Sequence, residues 1–352
     1  MSEEVKSLKL FVIGNGFDLA HGLETDYNSF FNWYLNQSID KAREVKDDSN
    51  SDFFVTSSVL SFDDELISLR LKNGLSRTDF IDRFKEENVL SLKSELISIN
   101  FNAYFLNSIV DTIIPPQWGN IEYLYFLELE RIFKNATLAQ EENEAVKLLN
   151  SQLLYLTKKL EEYISESINQ EIYMKEYASL IDGLSSKSYA NLFLNFNYTQ
   201  TFVKYLNRSQ TVINIHGLIG NNENPIIFGL GDEYSEQYKF FENRNEDEYL
   251  KNVKSIKYLL SNQYSSLQKN IDIYDCFEVI ILGHSCSISD RTLLKEIYNH
   301  DSCKSIDIYH YNGKESFTES LYGISRYFDN NQIMRNKVRD YDENLKMPQY
   351  SK

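Results

Sequence analysis

Leu8-Lys9-Leu10-Phe11-Val12-Ile13-Gly14-Asn15-Gly16-Phe17-Asp18 is an apolar run that stops in a glycine turn. Leu10 to Ile13 show no polar alternation, as expected of a strand buried on both faces of a parallel sheet. Gly14 and Gly16 permit positive φ and close backbone approach, and Asp18 is a good N-cap for a helix beginning there. Strand, glycine turn and helix start is the arrangement that presents backbone N–H groups to a phosphate or a nucleotide ribose. The third glycine of the dinucleotide fingerprint would fall at Leu19, whereas the next glycine is Gly22, so the match to that pattern is poor. Read alone, the segment fits an ordinary buried strand and turn almost as well.

Composition narrows the function classes. A chain of 352 residues buries a substantial core, as one large domain or a domain with a sizeable insertion. A net charge of −16 argues against an electrostatic nucleic-acid binder, because phosphate binding draws on clustered Lys and Arg. The longest apolar runs, such as Val279 to Leu282, are far shorter than the ~20 residues of a membrane helix. The acidic start Met-Ser-Glu-Glu is unlike a signal peptide, and Cys276, Cys286 and Cys303 form no Cys-x-x-Cys pair, so no metal site is expected. A cytoplasmic location and no membrane partner are the resulting expectations.

Along the chain, apolar residues at Val146, Leu149, Leu153, Leu156, Leu160 and Ile164 step by three and four, which marks one helical stripe. Pro115-Pro116 breaks the pattern before it, and Lys46 to Asp52 reads as a surface loop. Residues 27–187 are therefore expected to form a helical insertion, and the stripe makes a homo-oligomer plausible because something must cover it. Strand character returns at Ala190 to Leu194, Thr211 to Ile215, Ile226 to Phe228, Val279 to Leu282 and Ser305 to Tyr311, with helices between. Alternating strands and helices predict an α/β fold, a Rossmann-like and mostly parallel sheet built from residues 1–26 and 188–329. Residues 330–352 read as a peripheral tail.

Polar clusters stand just past the C-terminal ends of these strands, where open α/β sheets bind ligands. They are Gly14-Asn15-Gly16-Phe17-Asp18, Asn195-Phe196-Asn197-Tyr198-Thr199, His216-Gly217 and Gly283-His284-Ser285-Cys286-Ser287-Ile288-Ser289-Asp290. Each has a bland reading as a cap or turn; four in series favour a site. Their order resembles the AbiH family of bacterial abortive-infection proteins, most closely at Ile13 to Tyr27 and at Ile227-Phe228-Gly229-Leu230-Gly231-Asp232. More distantly, the series is similar to sirtuin-like domains, which in bacterial defence commonly hydrolyse NAD.

The resemblance implies NAD as substrate or ligand and a phage-derived trigger. It implies catalytic roles for Asn197, as holder of a ribose hydroxyl and a water, and for His216, as proton acceptor. Gly14, Asn15, Gly16, Phe17 and Asp18 would meet the pyrophosphate and nicotinamide side, and Gly283, Ser285 and Asp290 the adenosine half. The sequence departs from the sirtuin-like pattern at Thr199, where Asp is usual, and at Asp18, where Ser is usual. It also lacks the zinc-binding cysteine pairs of lysine deacylases, so deacylation is not expected. Three alternatives stand beside NAD hydrolysis. The first is a nucleotide-binding sensor or partner-recruiting module without turnover. The second is a serine hydrolase, with Ser285 in a turn resembling a nucleophile elbow and Asp307 and His310 further along the chain. The third is a nuclease, disfavoured by the acidic balance. His21, His284, His300 and His310 read as structural or surface histidines.

Overall fold

The computed structural model describes residues 6–44, 61–71, 97–106, 118–135, 138–168, 172–185, 189–207, 210–231, 238–244 and 246–351. The Lys46 to Asp52 loop, the Pro115-Pro116 break and Asp232 lie outside them. The chain divides into two compact units, Met1–Thr25 with Ile164–Lys352, and Asp26–Tyr163.

The first unit is built on five strands. They are β1 (Ser7–Ile13), then, past β2 (Ser61–Asp63), β3 (Ile67–Leu71) and β4 (Ile97–Phe101) of the second unit, β5 (Ala190–Asn195), β6 (Thr211–Asn214), β7 (Cys276–Leu282) and β8 (Cys303–Tyr309). Their order in the sheet is β6-β5-β1-β7-β8 and every neighbouring pair is parallel. Numbered within this sheet the order is 3-2-1-4-5, the doubly wound arrangement with its reversal between β1 and β7. The α/β, Rossmann-like expectation is met.

The apolar run around β1 explains why it takes the centre. Side chains alternate across a strand, and here both sets find a core. Leu8, Leu10 and Val12 enter one cluster with Leu192, Leu194, Val279, Ile281 and Ile306, while Phe11 and Ile13 enter a second with Phe193, Ile280 and Leu282. Phe11 stacks on Phe193 at 4.5 Å between ring centroids. Each such fully buried side chain contributes on the order of 1.5–3 kcal/mol, so the register of β1 is fixed from both faces.

Three local expectations change. Ile226 to Phe228 is not a strand; Ile227 instead donates its N–H to the His216 carbonyl at 2.8 Å. Helix Lys175–Leu184, placed by the sequence in the insertion, packs Tyr177 and Ile181 into the Phe11 cluster of the first unit. Residues from Asn330 onward are docked rather than peripheral, since Met347 joins the same cluster and Met347 N–H donates to the His310 carbonyl.

The second unit contains helices Tyr27–Glu44 and Trp118–Asn135, most of Ala139–Ser167, and an antiparallel sheet of β2 (Ser61–Asp63), β3 (Ile67–Leu71) and β4 (Ile97–Phe101). That sheet was not anticipated. Asp64 makes its first turn, its Oδ1 accepting the Leu66 and Ile67 N–H groups while Tyr34 and Tyr155 donate to Oδ2. All six residues of the Val146 to Ile164 stripe are buried within this chain, so the stripe no longer argues for a second subunit. Among the described residues, no helix is long and apolar enough to cross a membrane.

Candidate functional site

Two turns meet at the reversal between β1 and β7. Gly14 N–H donates to the Leu282 carbonyl at 3.1 Å and Gly16 N–H to the Gly283 carbonyl at 2.8 Å. A Cβ on Gly14 would lie 2.4 Å from His284 Cα, and one on Gly16 would lie 2.7 Å from the Gly283 oxygen. The glycines therefore let two backbones interlock. This use differs from the open pyrophosphate cradle that the fingerprint suggests, because the N–H groups of Gly14, Gly16 and Phe17 already have carbonyl partners.

The loop after β5 braces this junction. Asn195 Nδ2 reaches the carbonyls of Asn197 and Thr199 and the Asn214 Oδ1, while Asn197 Nδ2 donates to the Gly14 carbonyl at 3.0 Å. Asn197 thus ties the β5 loop to the glycine turn. Below it lies Asp18, 1% exposed, whose Oδ2 accepts the Thr199 hydroxyl at 2.6 Å. Asp18 Oδ1 has no hydrogen-bond partner among the described residues. Burial pushes this carboxyl up to about 6, against the opposing pull of Thr199, Thr201 and Asn197.

The most concentrated chemistry lies past the ends of β6 and β7. Asp290 closes a short 3₁₀ turn, Ile288–Asp290, before helix Arg291–Asn299, and is buried. Its Oδ1 lies 3.0 Å from His216 Nε2 and 2.9 Å from Lys254 Nζ, and its Oδ2 lies 3.4 Å from His284 Nε2. Tyr258 places its hydroxyl 3.1 Å from His216 Nε2, and Phe196 packs edge-on against both imidazoles. The His284 ring is oriented from the other side, since its Nδ1 accepts the Cys286 N–H at 3.0 Å and Nε2 is left as the donor toward Asp290. Burial alone would raise Asp290, but the Lys254 ammonium, then His216 and the histidine hydrogen bonds, outweigh it and hold the carboxyl well below the usual range. Asp290 is thus an ionised, buried carboxylate able to orient an imidazole for proton transfer. Lys254 already occupies the cation position beside Oδ1, and among the described residues no group of three or more His, Cys, Asp or Glu is arranged to hold a metal ion.

The candidate residues therefore fall into two groups, with Phe17 and Ser285 outside both. His216 and Asp290 share one cluster. Gly14, Gly16, Asp18, Asn197 and Gly283 form the junction beside it, where Asn15 is tied reciprocally to Thr25. Phe17 stands apart, its ring wholly buried among His21, Tyr177, Phe202 and Tyr205. Ser285 is exposed in the turn after β7. Among the described residues no histidine bonds to it: His310 Nε2 meets the Asp342 carbonyl, and Asp307 meets Arg339. The positive φ that an elbow gives its nucleophile falls instead on Cys286, at 52°, whose thiol is buried and pushed up to about 12 by that burial.

Sequence reasoning passed over Lys254, Tyr258 and His284. His284 carried a signal, since it stands two residues past the end of β7 in the same cluster as Ser285. Lys254 and Tyr258 lie on a helix with no motif of its own.

A family model described as bacteriophage abortive infection AbiH matches residues 10–311, which include the junction and the whole ion cluster. No curated protein matches the chain.

Proposed function

The chain belongs to the AbiH family of bacteriophage abortive-infection proteins, and from that premise we propose that it is an anti-phage effector that hydrolyses NAD at the nicotinamide–ribose bond. One observation carries the reading. The His216 imidazole is held by an ionised, buried Asp290 at the C-terminal edge of a 3-2-1-4-5 sheet, the edge at which such sheets take nucleotides.

In this reading a water oxygen bonds to ribose C1′, the bond from C1′ to the nicotinamide nitrogen breaks, and nicotinamide leaves with that electron pair. The proton lost by the water passes to His216, whose positive charge Asp290 stabilises. Asn197 holds the glycine turn in place through Gly14. Ser285, on the loop after β7, is exposed for contact with the nucleotide, and Asn15 and Tyr198, after β1 and β5, are half-buried at the same edge of the sheet.

The test is incubation of the purified protein with NAD, alone and with lysate of phage-infected cells, followed by chromatography for nicotinamide and ADP-ribose. Cleavage is expected, and His216→Ala should lower it by about two to four orders of magnitude. NAD left intact under both conditions removes the hydrolase. A second reading is nucleotide sensing without turnover, which uses the same C-terminal edge of the sheet for binding and needs no base. Saturable NAD binding without nicotinamide release would establish it.

A further inference from the structure

The Ile227-Phe228-Gly229-Leu230-Gly231 motif takes no part in the proposed reaction, yet it is bonded to the ion cluster at both ends. Ile227 N–H donates to the His216 carbonyl and Lys254 N–H donates to the Leu230 carbonyl, each at 2.8 Å. Between them, Leu230 N–H donates to the Asn252 carbonyl at 3.0 Å, and Lys257 Nζ donates to the Phe228 carbonyl at 3.2 Å. A Cβ on Gly229 would lie 2.1 Å from the Asn252 oxygen, so a side chain there would push the two segments apart. The motif fixes the start of helix Lys254–Leu260 relative to His216. The first residue of that helix carries an ammonium, 2% exposed, to the same Asp290 oxygen that holds the imidazole.

Burying an ammonium is costly, and packing alone would be served better by an apolar side chain. We propose that Lys254 is a positioning residue for His216: it neutralises Asp290, so that the carboxylate orients the imidazole without driving it into its protonated form. The inference rests on the reading of His216 as the base. An unopposed carboxylate 3.0 Å away favours imidazolium, which accepts no proton, and a cation on the same oxygen counters that effect. Among the described residues, the groups facing His216 include the Tyr258 hydroxyl, the Tyr198 and Phe196 rings and, across Asp290, His284 with the Cys286 thiol behind it. Of these, none is a permanent cation that could replace Lys254.

The test is an NMR titration of the His216 imidazole in the full chain, wild type against Lys254→Met and Lys254→Arg, with pH–rate profiles for NAD cleavage on the same samples. In Lys254→Met the His216 midpoint should rise by about one unit or more, and the acidic limb of the rate profile should move up with it, with the rate recovering at higher pH. Lys254→Arg should keep the wild-type midpoint. A folded Lys254→Met protein with an unmoved midpoint overturns the inference, since a purely structural lysine would leave that midpoint where it was. If Lys254→Met does not fold, Lys254→Gln removes the charge while keeping a hydrogen-bond donor, and the same midpoint decides. A risen midpoint in a protein whose wild type leaves NAD intact sustains the role of Lys254 and sinks the hydrolase reading instead.

Discussion

Asp18 holds its place under the glycine turn at an energetic cost that depends on pH. Its carboxyl is wholly buried and pushed from 3.8 up to about 6, so ionisation is easier in the unfolded chain. A raised acid favours the folded state while protonated: the contribution is fully present below about pH 4, declines as pH rises toward about 6, and is absent above. A shift of about two units corresponds to roughly 3 kcal/mol. Asp18→Asn, which cannot ionise, should therefore gain stability relative to wild type at about pH 7 and much less at about pH 4. Urea unfolding of both proteins at the two pH values measures this, and an equal difference at both would show that the charge of Asp18 costs nothing. Residues of this kind were half legible. His216, Asn197 and Asp290 stood out because they come just after strands, but the pairing of His216 with Asp290 joins loops that are distant in sequence. Lys254 left no trace, because a lysine on an amphipathic helix reads as a solvated face until the fold turns it inward.

At the level of elements, the junction of the β1 and β7 turns depends on missing side chains. Gly14→Ala would drive a methyl group to 2.4 Å from the His284 Cα, and backbone yields less easily than a flexible side chain. The expected loss is about 1–3 kcal/mol, with His284 displaced from Asp290. Gly183, exposed in helix Lys175–Leu184 and without neighbours around its Cβ position, is the control: Gly183→Ala should gain up to about 1 kcal/mol. Thermal melts of the two variants should move in opposite directions; a shared sign would remove the interlock as the reason for Gly14. The same contrast explains what the sequence revealed of the fold. Three of the five parallel strands, β1, β5 and β7, announce themselves as short, mostly apolar runs, because burial on both faces leaves no polar alternation. In contrast, β6 lies at the sheet edge and mixes Thr211 and Asn214 with Val212 and Ile213. Ser305 to Tyr311 was also found, offset from the observed Cys303–Tyr309. The antiparallel β2, β3 and β4 were missed. The signal was present, since Ser68 and Arg70 alternate with Ile67, Leu69 and Leu71 as in a half-buried strand, but each run is only three to five residues long within a stretch that reads as helical overall.

At the scale of the whole first unit, residues 338–351 extend the fold beyond β8. Arg339 N–H donates to the Ile306 carbonyl, His310 exchanges backbone bonds with Leu345 and Met347, and Tyr350 N–H reaches the Ala20 carbonyl at 2.7 Å. Two different forces could hold this segment. One is charge, since Arg339 sits 3.3 Å from Asp307 and 3.5 Å from Glu278. Its side chain is 56% exposed, however, and exposed ion pairs contribute at most about 1 kcal/mol. The other is burial of Met347, 2% exposed, in the cluster that also contains Phe11, Phe17 and Tyr309. Removing that side chain takes away buried methylenes and leaves a void, at a cost of about 2–5 kcal/mol. Met347→Ala should therefore destabilise the protein several-fold more than Arg339→Ala in urea unfolding, and should loosen the His310 and Ala20 attachments toward hydrogen exchange. If Arg339→Ala proves the more damaging, charge anchors the segment, and Met347 is a passenger on it.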